Sequence, residues 1–174
     1  MPRRYQCRGW QRTRIYQLEF VDTPPVTPDH VPAGLVGTFR NADILALVVD
    51  AASDLLEETE ELLTILHSRE FILRSVSRDR LDPTNPHEQA ALLVANKADL
   101  APAHAVETLR ELYAEQLEVL AVSAETGLGV DRLLARCWQM LGAIRVYTKE
   151  PGLPADMKKP FVLDLGATVE SLAT

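Results

Sequence analysis

Four residues at the end of an apolar run have the types and the spacing to read a nucleotide base. Asn96, Lys97, Ala98 and Asp99 directly follow Ala91–Ala95, a run that predicts a buried strand. A carboxylate at such a strand end can accept two hydrogen bonds from the N1–H and 2-amino groups of guanine, whereas adenine carries its amine at another position. We therefore expect Asp99 to read a guanine base. Alone, the four residues also fit a plain helix-starting turn after a buried strand.

A second apolar run ends in two small residues and a glycine turn. Val119–Val122 predicts another buried strand, and Ser123 and Ala124 follow it directly. Backbone N–H groups in such a turn can donate hydrogen bonds to the carbonyl oxygen of guanine. We therefore expect Ser123 and Ala124 to support the base that Asp99 reads.

An acidic residue closes the first predicted strand. Ile15–Val21 alternates apolar and polar residues, which predicts a strand with one buried face, and Asp22 follows it. Open α/β sheets bind their ligands at the carboxyl ends of their strands. Asp22 is therefore placed to reach a Mg²⁺ ion there, through water.

Taken in chain order, the three motifs resemble the later part of a Ras-like GTPase domain, and the close match is the Obg/Drg family. The resemblance runs from about Ile15 to Gly142. Beyond it, Ile144–Gly152 and Lys159–Leu172 are similar to the opening of the TGS domain in the Drg branch. The implied fold class is α/β: an incomplete Ras-like, doubly wound, mostly parallel sheet with helices on both faces, followed by the start of a β-grasp (TGS) domain.

The resemblance divides the chain into three parts. Residues 1–14 form a basic N-terminal arm, residues 15–142 the C-terminal part of a GTPase domain, and residues 143–174 the N-terminal part of a TGS domain. The arm carries five arginines and no acidic residue, although the net charge of the chain is −7. We expect it either to contact RNA or the ribosome or to be a disordered or wrongly predicted start.

The resemblance also implies a ligand and the roles of the site residues. The ligand would be GTP or GDP with Mg²⁺. Asn96 would tie the loops together, and the stem of Lys97 would pack on the base plane. Complete relatives act near the ribosome and RNA, so either is an expected partner, in the cytoplasm. The implied site residues are Asn96, Lys97, Asp99, Ser123 and Ala124 on the guanine side and Asp22 on the metal side.

The sequence departs from the family pattern in two places. It contains no G-x-x-x-x-G-K-[ST] loop to cradle the phosphates, and only 21 residues precede Asp22. We therefore expect the front of the domain to be missing and the chain to be inactive alone. Pro25 stands where the family has a glycine whose N–H contacts the γ-phosphate, and proline has no such donor. GTP hydrolysis therefore stays open, and the alternative is a non-catalytic pseudo-GTPase adaptor that binds RNA or protein through its TGS part and its arginine-rich arm.

Composition agrees with an intracellular origin. The chain has 174 residues, 47% of them apolar, with no run long enough to span a membrane and no secretory signal. Cys7 and Cys137 are too few and too far apart in sequence to indicate a disulfide framework, so no disulfide-linked partner is expected.

The hydrophobic pattern alternates between strands and amphipathic helices, which is typical of a doubly wound domain. A helix begins at Ser53 or Asp54, a second contains Leu109, Leu112 and Tyr113, and a third carries an apolar stripe. That stripe places Cys137 and Trp138 in the core and ends before Gly142. Two segments, Thr23–Gly37 and Arg69–Glu88, are predicted as loops. The predicted strands are Ile15–Val21, Ile44–Val49, Ala91–Ala95 and Glu118–Val122.

Asp50 permits a different hypothesis. It ends a buried strand, so it could be the phospho-acceptor of a response-regulator receiver, with Lys97 as the helper lysine. Receivers also need an acidic pair at the end of the first strand and a Ser or Thr between the phospho-acceptor and lysine strands. At the first strand end this chain offers Asp22 alone.

Overall fold

The computed structural model describes most of the chain as strands and helices in alternation. The described residues are 3–11, 14–27, 31–32, 34–102, 104–149, 152, 154 and 160–172, with the backbone alone for 3–11, 14–17 and 171–172. The strands are β1 (Arg3–Gln11), β2 (Arg14–Asp22), β3 (Leu45–Asp50), β4 (Ile72–Arg74), β5 (Glu88–Asn96), β6 (Val119–Ala121), β7 (Ala143–Val146) and β8 (Phe161–Asp164). The helices are α1 (Leu35–Asn41), α2 (Leu55–Ser68), α3 (Ala105–Tyr113), α4 (Val130–Met140) and α5 (Val169–Leu172).

Strand β5 is the centre of a four-stranded parallel sheet. Leu93 in β5 pairs with Leu47 in β3 and with Val119 in β6. At the start of β5, Glu88 pairs with Ile72 in β4. All three partner strands run parallel to β5, and helices connect most of them. The predicted fold class, a mostly parallel α/β sheet, is confirmed.

Helices cover both faces of this sheet. One hydrophobic core joins β3 and β5 to α2 and α3. The other joins β5 and β6 to α4 and includes Leu18 of β2. Cys137 on α4 is buried in this second core and Trp138 packs against it, as the apolar stripe predicts. Strand β5 is buried on both faces, which explains why it is a continuous apolar run rather than an alternating one.

Two antiparallel hairpins complete the described part of the chain. Strand β1 pairs with β2 along its whole length, and β7 pairs with β8. A disordered start is therefore the wrong interpretation of the arginine-rich arm, because the backbone of Arg3–Gln11 forms a strand. The pairing with β2 supplies the hydrogen bonds that composition alone does not indicate. None of the helices in the described ranges is both long enough and apolar enough to cross a membrane.

The four predicted strands and three predicted helices are all present, with ends shifted by a few residues. Asp54 caps α2, since its carboxylate accepts a hydrogen bond of 3.3 Å from the N–H of Glu57. The two predicted loops contain more secondary structure than expected. Residues 69–88 contain β4 and a 3-10 turn at Arg78–Arg80, and helix α1 begins inside the proline-rich segment. Leu112, predicted on a buried helix face, is 62% exposed.

Candidate functional site

The candidate site lies where β5 and β6 end side by side. Ala95 pairs with Ala121, so Asn96 and the turn that begins at Ser123 follow from neighbouring strand ends. The N–H of Ala124 donates a hydrogen bond of 3.0 Å to the side-chain oxygen Oδ1 of Asn96. One amide side chain therefore joins the two loops that the sequence assigns to base recognition.

The turn after β6 is closed by its own hydrogen bonds. Ser123 is completely buried, and its hydroxyl oxygen accepts a hydrogen bond of 3.1 Å from the N–H of Thr126. Its backbone N–H donates to the carbonyl oxygen of Leu128 at 2.8 Å, and its carbonyl oxygen accepts from Gly127 at 2.9 Å. Ser123 thus holds the shape of the turn from inside, while Ala124 lies on its exposed side.

One backbone donor in this turn has no hydrogen bond within the part of the chain that the structure describes. Donors at residues 123, 124, 126, 127 and 128 are all engaged, whereas the N–H of Glu125 is not. Glu125 is exposed. Its N–H is therefore the group in the turn that is available to a carbonyl oxygen of a ligand, a role that the sequence pattern does not assign to a particular residue.

The turn after β5 is also fixed at its backbone. Lys97 adopts a left-handed conformation with φ of 58°, which is uncommon for a residue with a Cβ. The N–H of Ala98 donates to the carbonyl oxygen of Val122 at 3.0 Å, and that of Leu100 to Lys97 at 2.9 Å. Asp99 lies within this braced turn, is exposed, and makes no side-chain hydrogen bond or ion pair to a described residue. Its carboxylate is consequently free to accept hydrogen bonds from a ligand.

The ammonium of Lys97 is held by a carboxylate from the neighbouring strand. Asp50 ends β3 in register with Asn96, and its oxygen Oδ2 pairs with Nζ of Lys97. The other oxygen, Oδ1, accepts a hydrogen bond of 2.9 Å from the N–H of Ala52. The hydrogen bond from Lys97, followed by that from Ala52, holds the pKa of Asp50 below its ordinary value. Asp50 in turn raises the pKa of Lys97, with a smaller contribution from Glu58.

Glu58 on α2 fixes the backbone beneath this ion pair. Its Oε2 accepts a hydrogen bond of 2.9 Å from the N–H of Asp50, and its Oε1 accepts one of 2.5 Å from the hydroxyl of Ser53. The sequence pattern does not place Asp50 or Glu58 in the base site. The sequence signal that could indicate Asp50 is its position at the end of an apolar run, because ligands of open α/β sheets bind at the carboxyl ends of strands.

Asp22 belongs to a different sheet from the guanine-side residues. It ends β2, which pairs with β1 and not with the four-stranded sheet. Asp22 is exposed, and no hydrogen bond or ion pair between described residues joins it to the guanine-side residues. Magnesium in nucleotide sites commonly takes only one or two carboxylates, with phosphates and water as its other ligands. A single exposed carboxylate fits that role, and no group of three or more His, Cys, Asp or Glu residues within the described ranges forms a metal cluster.

Comparisons with known proteins point to GTP-binding proteins. An uncharacterized GTP-binding protein of Halobacterium salinarum is 30% identical over 135 residues, which cover 70% of this chain and 36% of that protein. Developmentally-regulated G-protein 1 of Arabidopsis thaliana is 39% identical over 80 residues, 44% of this chain and 19% of that protein. The tRNA modification GTPase MnmE of Symbiobacterium thermophilum is 33% identical over 140 residues, 77% of this chain and 26% of that protein.

These relatives carry the names of GTP-binding proteins and support a GTPase family for the chain. The chain spans between 19% and 36% of the length of these three proteins. No protein-family model matches the chain.

Proposed function

We propose that this chain recognises the base of a guanine nucleotide at the ends of β5 and β6, as part of an Obg/Drg-like GTP-binding protein. The hydrogen bond between Ala124 and Asn96 is the observation that carries the proposal. It brings together two loops that are 28 residues apart in sequence, and each holds groups suited to one edge of guanine. The names of the relatives support a guanine nucleotide as the ligand.

The available groups match the donor and acceptor pattern of guanine. The carboxylate of Asp99 accepts from the N1–H and the 2-amino group, a bidentate contact with a charged acceptor. The N–H of Glu125 donates to the 6-carbonyl oxygen, and the hydrogen bond from Ala124 to Asn96 holds the turn in place for this contact. Adenine reverses this edge, because it offers an amine where guanine has the carbonyl and an acceptor where guanine has N1–H. A site with these fixed groups rejects adenine because its polar groups would be left unpaired.

Binding of Mg²⁺ at the phosphates is assigned to a residue outside the guanine-side set. Bound Mg²⁺ neutralises phosphate charge during GTP hydrolysis. We assign Asp22 to hold Mg²⁺, through water, on the strength of its exposed position at a strand end. The sequence has no G-x-x-x-x-G-K-[ST] loop, so the residues assigned here account for recognition of the base and not for hydrolysis.

The proposal extends to partners and to the other parts of the chain. We propose cytoplasmic association with RNA or the ribosome, which the family resemblance implies and which the name of one relative, a tRNA modification GTPase, supports. In this proposal residues 1–14 are a basic arm, residues 15–142 belong to the GTPase domain, and residues 143–174 open a TGS domain. The hairpin of β7 and β8 followed by α5 is compatible with the start of a β-grasp fold.

The test exchanges the base-reading carboxylate for an amide. In Asp99→Asn the amide N–H₂ can donate to the 2-oxo group of xanthine, so preference should move from GDP towards xanthosine diphosphate. NMR titrations of the 174-residue chain with GDP, ADP and xanthosine diphosphate measure this directly. Asp79→Asn is the matched control, because Asp79 is exposed in the 3-10 turn and makes no side-chain hydrogen bond or ion pair to a described residue. Equal affinity of the unaltered chain for GDP and ADP would contradict guanine recognition.

A further inference from the structure

The side chain of Lys97 is held by a residue of another strand. Its backbone leaves the end of β5, while its Nζ pairs with Asp50 at the end of β3. Strand β3 pairs with one edge of β5, and β6 carries the turn of Ser123 and Ala124. The side chain therefore runs from β5 towards β3 rather than free into solvent.

We infer that Asp50 is a positioning residue for guanine: by holding the ammonium of Lys97 beside β3, it lays the lysine stem where the base plane can stack on it. This inference rests on the proposed guanine site. A free lysine has many rotamers, and binding a base against its stem would require these to be ordered at that moment. In this structure the order exists before the ligand arrives, which lowers the cost of binding.

Asp50 is itself held in place by contacts that do not involve Lys97. Glu58 fixes its N–H at 2.9 Å, and the N–H of Ala52 binds its Oδ1 at 2.9 Å. The hydroxyl of Ser53 also donates to the carbonyl oxygen of Asp50 at 3.0 Å. With its backbone and one carboxylate oxygen fixed, Asp50 leaves the second oxygen for the ammonium. This is the arrangement of a rigid anchor for a flexible side chain.

The ion pair is poorly suited to a purely stabilising role. The side chain of Lys97 is 54% exposed and that of Asp50 is 28% exposed. Ion pairs this accessible to water contribute little to folding stability. The pair also neutralises the lysine, so that Lys97 meets the nucleotide through its methylene stem and not through an unpaired charge. Removal of the carboxylate should therefore weaken contacts to the base while it strengthens attraction to phosphates.

The experiment compares ligands with and without phosphates. We expect Asp50→Asn to weaken guanosine binding by about fivefold to tenfold, within the range of coupled neighbouring residues. The loss should be smaller for GDP, because the released ammonium attracts its phosphates. NMR titrations of the full 174-residue chain with guanosine, adenosine and GDP give these affinities. Glu61→Gln on α2 is the control, because it removes one negative charge from an exposed side chain with no hydrogen bond or ion pair to a described residue.

A double-mutant cycle shows whether Asp50 acts through Lys97. In a Lys97→Met background, Asp50→Asn should cause no further loss of guanosine affinity. In the chain without ligand, Asp50→Asn should also lower the pKa of the Lys97 ammonium towards its ordinary value, which NMR of the lysine side chain detects. Asp50→Glu keeps the charge and should recover part of the affinity.

The outcomes separate this inference from the proposed function. A chain that prefers guanosine to adenosine but binds guanosine equally well with Asp50→Asn overturns the positioning role and leaves guanine recognition in place. An equal loss of guanosine affinity from Asp50→Asn in the unaltered chain and in the Lys97→Met background also overturns the positioning role. Asp50 would then act without Lys97. A chain with no preference for guanosine overturns the proposed function and the inference together.

Discussion

Gly129 lies so close to the backbone of Ala121 that a Cβ on residue 129 would come within 2.1 Å of the Ala121 carbonyl oxygen. Its φ of 73° is also in the left-handed region. Gly127, in the same turn, has a φ of 80° but open space around the position of a Cβ. The turn that follows β6 therefore needs glycine at both positions for its conformation, and at residue 129 also for its packing.

Alanine substitutions should separate these two requirements. Gly127→Ala should lower the free energy of unfolding by about 1–2 kcal/mol, the usual cost of a left-handed residue with a Cβ. Gly129→Ala should cost at least 1 kcal/mol more, because the backbone of Ala121 has to move as well. Urea unfolding of both variants measures the difference. Equal costs would mean that the turn relaxes around the new methyl group without loss.

The hydrogen bond between Asn96 and Ala124 should matter for both stability and binding. Asn96→Ala leaves the N–H of Ala124 without its partner, so we expect unfolding to become easier by about 1 kcal/mol. The turn that carries Ala124 should also lose its fixed position, which weakens GDP binding. Asn41→Ala, at the exposed end of α1, is the control. An unchanged NMR signal of the Ala124 amide in Asn96→Ala would count against this hydrogen bond.

The affinity of the chain for GDP should be low. Hydrogen bonds to charged groups contribute about 1.5–3 kcal/mol each, while millimolar binding already requires about 4 kcal/mol. The base-reading carboxylate and one or two N–H donors reach that level with little surplus, and the sequence contains no phosphate loop to add to it. We expect a Kd in the high micromolar range or weaker by isothermal titration calorimetry. A sub-micromolar Kd would show that residues outside the assigned set hold the phosphates.

The Asp50–Lys97 pair predicts a specific dependence on pH. The pKa of Asp50 is lowered in the folded state, so its contribution to stability is present above its ordinary pKa of 3.8 and is lost as the pH falls through the folded value. The pKa of Lys97 is raised, so its contribution is present below 10.5 and is lost as the pH rises through its folded value.

The comparison is between the melting temperatures of the unaltered chain and of Asp50→Asn. Their difference should be small, because the pair is exposed, and constant between about pH 5 and pH 9, where both groups are charged in the folded and unfolded states. It should shrink at lower pH as Asp50 becomes protonated. Asp82 and Glu88 also have lowered pKa values, and their effects cancel because both proteins contain them. A difference that grows as the pH falls below 4 would contradict the ion pair.

The sequence predicts the framework of the site well because its strands are long or strongly apolar. Strand β5 is a nine-residue element whose apolar run has no competing periodicity, and β6 leads directly into a glycine turn. Strand β4 is different, since it has only three residues in a segment rich in charged side chains. Its position depends on pairing with the start of β5 and on Ser75, whose hydroxyl donates to the carbonyl oxygen of Ala91 at 2.7 Å. Such tertiary contacts leave no local pattern.

The contact between Asp50 and Lys97 could not be predicted from the sequence either, because it also depends on tertiary contacts. The pattern predicts that each lies at the end of a buried strand, and it permits a phospho-acceptor hypothesis that also brings them together. In the structure β5 is buried on both faces, whereas β3 is buried on one face only. It does not give the register of β3 against β5, which sets Asp50 opposite Asn96. Nor does it show that Glu58, one turn into α2, binds the N–H of Asp50. A role in base recognition becomes visible only once these two relationships are known.

Strand β5 pairs with three other strands, and its residues Ala90–Ala95 are between 0% and 3% exposed. Amides so placed exchange with solvent deuterium only when large parts of a protein open together, whereas hairpins and exposed turns open by small local fluctuations. Asn96 is the last residue of this strand, and two of the residues proposed to contact the base, Lys97 and Asp99, follow it by one and three residues. A partly opened form that has released either hairpin would therefore still keep the two strand ends together, and with them the groups that read the base.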